Sequence, residues 1–171
     1  MNDDFLGPVV SSAHLASGSF PEISEVEFAL TLANNAFHRW MVRCMTTAGY
    51  DELSPLEILV LHTVFHRDKP KKLADICLVL NIEDTHTVNY AVRKLKSAGL
   101  VTEGRVGKEK TVQATDLGAQ ACQDYRQVRE SLLLRSLKAL DLDPGDVSKL
   151  AALMRLMSGQ YDQAARAATT Y

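Results

Sequence analysis

Apolar residues recur three and four positions apart from Pro21 to Ala48, which predicts one long amphipathic helix. The seam is formed by Val26, Leu30, Ala33, Phe37, Trp40 and Cys44. Three further apolar residues widen it, namely Ala29, Ala36 and Met41. Because this face is broader than one neighbouring element needs, we expect the helix to pack against both its own domain and a second subunit, and to end at Gly49.

A second helix is marked by a strong start signal. Ser54 is a suitable N-cap, Pro55 fits the first helical position, and Glu57 completes a capping box. The helix is expected to end near His66, because Pro70 disfavours helical backbone in the residue before it. This is the most apolar stretch of the chain, and it falls short of the roughly 20 apolar residues that a membrane span needs. We therefore expect a soluble protein with no membrane partner.

Two more short helices follow with little chain between them. The third is predicted over residues 72–80, where Asn81 provides a left-handed stop. The fourth begins after Asp84 and ends at Ala98, before a glycine. Its inward-facing residues are Val88, Ala91, Val92 and Leu95. Two helices with so short a connection form a tight helix-turn-helix.

The pattern then changes to two short extended segments, residues 100–103 and 111–114. They flank a turn with two glycines at residues 104–108, and together these features predict a β-hairpin.

Two helices complete the chain. One runs from Thr115 to about Ala139. Its apolar stripe comprises Leu117, Ala121, Tyr125, Val128 and Leu132. The last begins with a cap and a proline at Asp143 and Pro144. Its stripe comprises Val147, Leu150, Met154, Met157, Tyr161 and Ala164.

This order of elements predicts a mainly α protein: a winged helix-turn-helix with a small β-hairpin wing, flanked by long N- and C-terminal dimerisation helices. Residues 51–115 are expected to form the winged helix-turn-helix, and residues 21–50 and 116–171 the helical dimerisation region. Residues 1–20, rich in Ser, Gly and Pro, are expected to form a flexible tail.

The composition is that of an ordinary globular chain, because 171 residues with 46% hydrophobic content can bury a core. Residues 1–19 contain no Lys or Arg, unlike the start of a signal peptide. The cysteines, Cys44, Cys77 and Cys122, are widely spaced among apolar neighbours, which favours buried thiols in a reducing compartment. We therefore expect a cytoplasmic protein.

Basic residues are concentrated in one segment, although the net charge of −2 does not by itself indicate nucleic acid. Between Thr85 and Lys110 there are six basic and two acidic residues, while the rest of the chain is acidic. On the fourth helix the outward-facing residues are Thr85, His86, Thr87, Asn89, Tyr90, Arg93 and Lys94. On the hairpin the basic residues are Arg105, Lys108 and Lys110.

These residue types suit double-stranded DNA. A helix fits the major groove, and a basic hairpin can hold the neighbouring phosphates. The front of the fourth helix offers hydroxyl, imidazole, amide and phenol groups for base edges, and its later turns offer cations for phosphates. The most specific prediction is that Asn89 reads an adenine, because its side-chain amide can donate to and accept from one adenine edge at once.

The stretch LADICLVLNIEDTHTVNYAVRKLKSAGLV at residues 73–101 resembles the helix-turn-helix of MarR-family transcription regulators. VQATDLGAQA, at residues 112–121, resembles the strand-to-helix passage that follows the wing in that family. The long flanking helices are similar in placement to the family's dimerisation domain. The resemblance implies a homodimeric transcription regulator.

Two departures from the family pattern concern the site itself. Where the family commonly has an Arg just after a Thr on the recognition helix, this chain has Asn89 and Tyr90. Where the wing commonly has an Asp two residues before an Arg, it has Val106 and Lys108, so the ion pair that braces the wing arginine is missing. Tyr90 and the acidic total charge favour an alternative, a winged-helix protein-interaction module that has lost DNA binding.

The resemblance also implies that a small aromatic effector binds between the DNA-binding and dimerisation parts and releases DNA by shifting the two recognition helices. Residues near such a cleft are Phe37, His38, Arg39, Trp40 and Arg43. We interpret them chiefly as an aromatic stripe that fills the core.

Other chemistry has weaker support. His62 and His66 are four residues apart but lack a third ligand at motif spacing. Arg43 adjoins Cys44, yet a structural thiol is the simpler interpretation. The sequence contains no phosphate-binding glycine loop, nucleophile elbow or metalloprotease motif. We expect no metal, no cofactor and no enzymatic activity.

Overall fold

The computed structural model describes residues 8–171, apart from the side chain of residue 68. The helices and strands are, in chain order, α1 (Ala13–Ala16), α2 (Pro21–Thr47), α3 (Pro55–Phe65), β1 (Lys71–Lys72), α4 (Leu73–Leu80), α5 (Thr85–Ser97), β2 (Val101–Val106), β3 (Glu109–Ala114), α6 (Asp116–Arg129), α7 (Arg135–Lys138) and α8 (Pro144–Ala168). The described residues divide into two compact units, of which the first ends at Val128 and the second is Arg129–Tyr171. Part of the predicted tail, residues 1–7, lies outside the described residues. The mainly α winged helix-turn-helix expected from the sequence is confirmed.

The long helix α2 matches its predicted bounds, and its two halves differ in how deeply their apolar side chains are buried. Near its C-terminal end, Met41, Cys44 and Met45 are at most 1% exposed and belong to the core of the first unit. Nearer its start, apolar side chains are exposed, namely Val26, Leu30, Leu32 and Phe37. Phe37 was expected in an aromatic stripe that fills the core, and this was wrong, because its side chain is 49% exposed.

Local signals define the helix ends as predicted. At the start of α3, the Glu57 backbone N–H donates to Ser54 Oγ at 3.4 Å and the Ser54 N–H donates to Glu57 Oε2 at 2.8 Å, so the capping box is present. After α4, Asn81 adopts φ 52 and ψ 48, the left-handed conformation expected of it. The α4–α5 pair is therefore a tight helix-turn-helix.

The three strands form an antiparallel sheet in the order β1-β3-β2. Strand β1 was not predicted. The turn predicted at residues 104–108 was placed too widely, because Gly104 pairs with Thr111 inside the ladder. Only Gly107 and Lys108 lie between the last paired residues, and Gly107 has φ 62. Polar residues and glycine can continue the backbone pairing of two strands that are exposed to solvent. The wing is therefore longer than the apolar residues of the two strands indicate.

The passage from sheet to α6 is held by close contacts around Thr115. Its backbone N–H donates to Leu100 O at 3.0 Å, its hydroxyl donates to Gly99 O at 2.7 Å, and the Gly118 N–H donates to its Oγ1 at 3.1 Å. A Cβ atom on Gly118 would lie 2.0 Å from Leu100 O. The first turn of α6 therefore rests directly on the backbone at Leu100.

The continuous helix predicted from Thr115 to Ala139 is instead α6, a π-helical segment at Glu130–Leu134, and α7. Ala121 and Tyr125 are buried as expected, but Leu117 and Leu132 are 48% and 55% exposed. The predicted stripe is therefore buried within this chain only in its middle part, and the residues at its two ends are exposed.

In the second unit, α8 begins at the predicted cap, where the Asp146 N–H donates to Asp143 Oδ1 at 3.0 Å. None of its residues is buried. Its exposed apolar side chains include Val147, Leu150, Leu153, Met154 and Leu156.

The core of the first unit centres on α3 and α5. Its fully buried side chains include Ile58, Leu61, Val88, Val92 and Leu95. Across residues 8–171, none of the helices has both the length and the apolar character required to cross a bilayer.

Candidate DNA interface

Helix α5 has one face fixed in the core and the other open to solvent. Its inward residues are the predicted ones: Val88, Ala91, Val92 and Leu95 are at most 2% exposed. Its exposed residues are Thr85, His86, Thr87, Tyr90, Arg93 and Lys94. Asn89, the residue expected to read adenine, is half-buried. The outward polar surface proposed from the sequence thus exists, with Asn89 at its edge.

The N-terminus of α5 is capped by Asp84. Its Oδ1 accepts from the His86 N–H at 2.9 Å and its Oδ2 accepts from the Thr87 hydroxyl at 2.7 Å. These hydrogen bonds, the one from Thr87 foremost, hold the pKa of Asp84 below its usual range. Thr87 therefore belongs to the cap, and its hydroxyl can serve a base edge only through its oxygen lone pairs or by leaving Asp84.

Tyr90 is 56% exposed and has two cations beside its ring. Arg93 Cζ lies 6.0 Å and Lys94 Nζ 5.8 Å from the ring centroid, at the outer range of cation–π attraction. The later basic turn of α5 thus contacts the aromatic residue that precedes it.

Glu57 joins α3 to α5. Its side chain is 5% exposed, and Oε1 lies 3.5 Å from Lys94 Nζ. The sequence identified Glu57 only as a capping residue, because nothing local indicates a partner on another helix. Between the two helices lies a groove of about 600 Å³. Its lining includes Leu56, Glu57, His86, Tyr90 and Lys94.

The wing carries exposed cations, as the sequence predicted. Arg105, Lys108 and Lys110 are all exposed on β2, β3 and the turn between them. The wing lacks the Asp found in the family pattern, but Lys72 on β1 forms an ion pair with Glu109, which lies at the start of β3 beside the turn.

A second ion pair connects the end of α5 to the wing. Lys96 Nζ donates to Glu103 Oε2 at 2.5 Å, and this contact lowers the pKa of Glu103. The recognition helix and the wing are therefore joined through side chains as well as through the backbone.

Of the residues suggested for an effector cleft, Arg39 and Arg43 are exposed, while His38 and Trp40 are half-buried. The indole Nε1 of Trp40 is shielded from solvent without a hydrogen-bond partner among the described residues.

The cysteines are all buried, and burial raises the pKa of the Cys122 thiol to about 12. Among the side chains that the structure describes, which are those of residues 8–67 and 69–171, no group of three or more His, Cys, Asp or Glu is placed to hold a metal ion.

His62 is a half-buried group whose ring nitrogen Nε2 is shielded from solvent, and this has a pH-dependent consequence. Its ring packs edge-on against Tyr125 at 4.7 Å between centroids, and burial lowers its pKa. Because the unfolded chain then binds the proton more tightly, the stability from neutral His62 is present above about pH 6.5 and is lost as the pH falls below it. Urea unfolding at pH 7.5 and 5.5 should show a smaller acid loss in His62→Leu than in the wild type. Equal losses would contradict this assignment.

A helix capped at its start, buried on one face and followed at once by a basic hairpin is the arrangement of a winged helix-turn-helix. The winged helix DNA-binding domain family matches residues 53–118. Among curated proteins, no sequence match was found. Over 78–82% of its length the chain has the fold of the MarR-family transcription regulators, as the resemblance in sequence predicted.

Three solved structures illustrate this likeness. A mutant MarR from E. coli, complexed with operator DNA, is 19% identical with a TM-score of 0.65, over 82% of this chain and 99% of that one. CouR from Rhodococcus jostii RHA1, bound to p-coumaroyl-CoA, is 14% identical with a TM-score of 0.66, over 85% and 95%. Reduced AbfR bound to DNA is 15% identical with a TM-score of 0.64, over 82% and 94%. At such identities the likeness establishes the fold.

Proposed function

We propose that this protein is a sequence-specific, double-stranded DNA-binding transcription regulator that acts as a homodimer and not as an enzyme. The observation that carries the proposal is the two-sided α5: its apolar face is fixed in the core, and its polar face is exposed beside a basic wing. In this arrangement α5 enters the major groove and the wing holds the adjacent backbone.

The two parts of the interface have different tasks. Exposed groups near the start of α5, from His86 to Tyr90, face base edges, which carry sequence information. Arg93 and the wing residues Arg105, Lys108 and Lys110 meet phosphates, which supply affinity but no sequence information. The MarR and AbfR structures, which contain DNA, support this use of the shared fold.

The dimer is supported by apolar surface that the single chain leaves exposed. On α2, Val26, Leu30 and Phe37 are between 38% and 49% exposed. On α8, Leu150 and Met154 are 59% and 45% exposed at the predicted seam. Exposed apolar side chains along one helix face mark an interaction site, and a second copy of the chain would cover each of these faces. Two copies would present two recognition helices to two half-sites.

A small aromatic effector is a further part of the proposal. CouR has this fold and is bound to an aromatic CoA ester. In the present chain the buried and unpartnered indole N–H of Trp40 is a donor that such a ligand could use. The effector would act by changing the spacing of the two recognition helices.

The wing provides the test of DNA binding. Replacing Arg105 and Lys108 together by Ala should weaken binding to all duplex sequences alike, because these exposed cations meet phosphates. The slope of log K against log salt should fall by about 0.9 for each phosphate that the variant no longer neutralises. Fluorescence anisotropy with a labelled duplex over a salt series measures both quantities.

The matched control is Arg135→Ala with Lys138→Ala, which removes two exposed cations from α7, outside the winged helix. It should leave the slope unchanged. If the wing variant also leaves affinity and slope unchanged, the hairpin is not a DNA-contacting wing. If the wild type binds no duplex even at low salt, the protein-interaction module becomes the better interpretation.

A further inference from the structure

The groove between α3 and α5 brings a buried carboxylate close to an exposed aromatic ring. Glu57 lines it from α3, and Tyr90 and Lys94 line it from α5. Glu57 is almost fully buried, whereas more than half of Tyr90 is exposed. Lys94 connects the two residues, because its ammonium lies near both the Glu57 carboxylate and the Tyr90 ring.

Both oxygens of the Glu57 carboxylate are engaged. Oε2 accepts from the Ser54 backbone N–H at 2.8 Å, and Oε1 lies 3.5 Å from Lys94 Nζ. The capping box therefore fixes the carboxylate, and a buried carboxylate without a countercharge is unfavourable. The Glu57 carboxylate therefore keeps the Lys94 ammonium at the groove, where it would otherwise move freely in solvent.

The Lys94 ammonium in turn restricts Tyr90. Its Nζ is 5.8 Å from the ring centroid, and the Arg93 guanidinium is 6.0 Å from the same ring. Attraction between each cation and the ring favours a limited set of ring positions. A side chain ordered before binding loses less conformational entropy when it meets its partner.

We infer that Tyr90 is a specificity-determining residue of the DNA interface and that Glu57 is its positioning residue, acting through Lys94. The inference rests on the proposed function. The phenol can donate to or accept from a base edge in the major groove, where base pairs differ in their donors and acceptors. Because Glu57 balances its charge, Lys94 contributes less to phosphate binding than the sequence suggested.

The experiment compares preferred sites selected from random duplex DNA, followed by affinity measurements on the preferred and a scrambled duplex. Tyr90→Phe keeps the ring and removes the hydroxyl. Glu57→Gln removes the charge, while glutamine still closes a capping box. Each variant should bind the preferred site about three- to tenfold more weakly, the range expected for one hydrogen bond, with the same base position losing its preference.

The double variant decides whether the two residues act as a unit. Glu57→Gln with Tyr90→Phe should bind little more weakly than either single variant, because each change alone already abolishes the same hydrogen bond to the base. Additive losses, or a Glu57→Gln loss equal on both duplexes, would overturn the positioning role. Glu22→Gln, which removes an exposed carboxylate on α2, is the charge-matched control and should behave as the wild type.

Lys94→Met supplies a second test that leaves Glu57 and its capping box in place. It should lower preference at the Tyr90 position and reduce the salt slope by much less than 0.9, whereas Arg93→Met should reduce it by about 0.9. Equal slopes would show Lys94 to be a phosphate contact and overturn the inference. No enriched site in the wild type overturns the proposed function together with this inference. An enriched site that Tyr90→Phe and Glu57→Gln leave unaltered overturns the inference alone.

Discussion

Gly118→Ala is expected to destabilise the folded protein by about 3 kcal/mol, at the upper end of the usual cost of overpacking. The added Cβ would lie 2.0 Å from Leu100 O and 3.3 Å from Leu61 Cδ1. A backbone carbonyl cannot move aside as a side-chain tip can, so the first turn of α6 must shift away from Leu100. For a chain of this size the loss corresponds to roughly 6–12 °C in Tm.

Gly159→Ala is the matched control, because it lies inside α8 with nothing within 4 Å of the added Cβ. It should raise stability slightly, since alanine is the better helix former. Thermal unfolding followed by circular dichroism compares the two variants. A Tm for Gly118→Ala equal to that of Gly159→Ala would mean that the contact at Leu100 relaxes without cost.

Leu150→Glu with Met154→Glu is expected to separate the proposed homodimer and thereby remove most affinity for a two-half-site operator. These exposed apolar residues lie on the proposed seam of α8, where two buried glutamates would be strongly unfavourable. Loss of the second recognition helix removes the benefit of linked binding, which is about 100-fold or more. Affinity for an isolated half-site should stay the same.

Sedimentation velocity and DNA titration measure these two effects on the same samples. Ser148→Glu with Ala152→Glu has the same spacing and charge. At 3.6 residues per turn, however, these two positions lie on roughly the opposite side of the helix from the seam. This control should remain dimeric. A wild-type monomer at micromolar concentration, or a dimer in the seam variant, would contradict the proposed interface.

Helix positions were predictable because their signals are local. Ser54, Pro55 and Glu57 define one helix start within four residues, Asp143 and Pro144 define another, and Asn81 supplies a stop by adopting φ 52. Each signal depends on hydrogen bonds or backbone preferences of neighbouring residues. Such features can be recognised without knowing the rest of the fold.

The features that could not be predicted from the sequence depend on contacts between residues that are far apart in the chain. Strand β1 consists of only two residues, and it exists because Lys71 and Lys72 pair with Val112 and Thr111. Likewise, nothing in the sequence around Glu57 indicates Lys94, which is 37 positions away and becomes its partner only when α3 packs against α5. The exposed face of α5 was foreseen from its periodicity, whereas the contacts that hold Tyr90 were not.

The extended ladder between β2 and β3 has a consequence for the span of DNA that one protomer can cover. Six residue pairs, from Val101 opposite Ala114 to Val106 opposite Glu109, make a hairpin roughly 20 Å long at about 3.4 Å per residue. The major groove is about 12 Å wide. In the proposed complex with DNA, the tip at Gly107 therefore reaches across the sugar-phosphate ridge beside the groove that holds α5, so one chain engages both sides of that ridge at once.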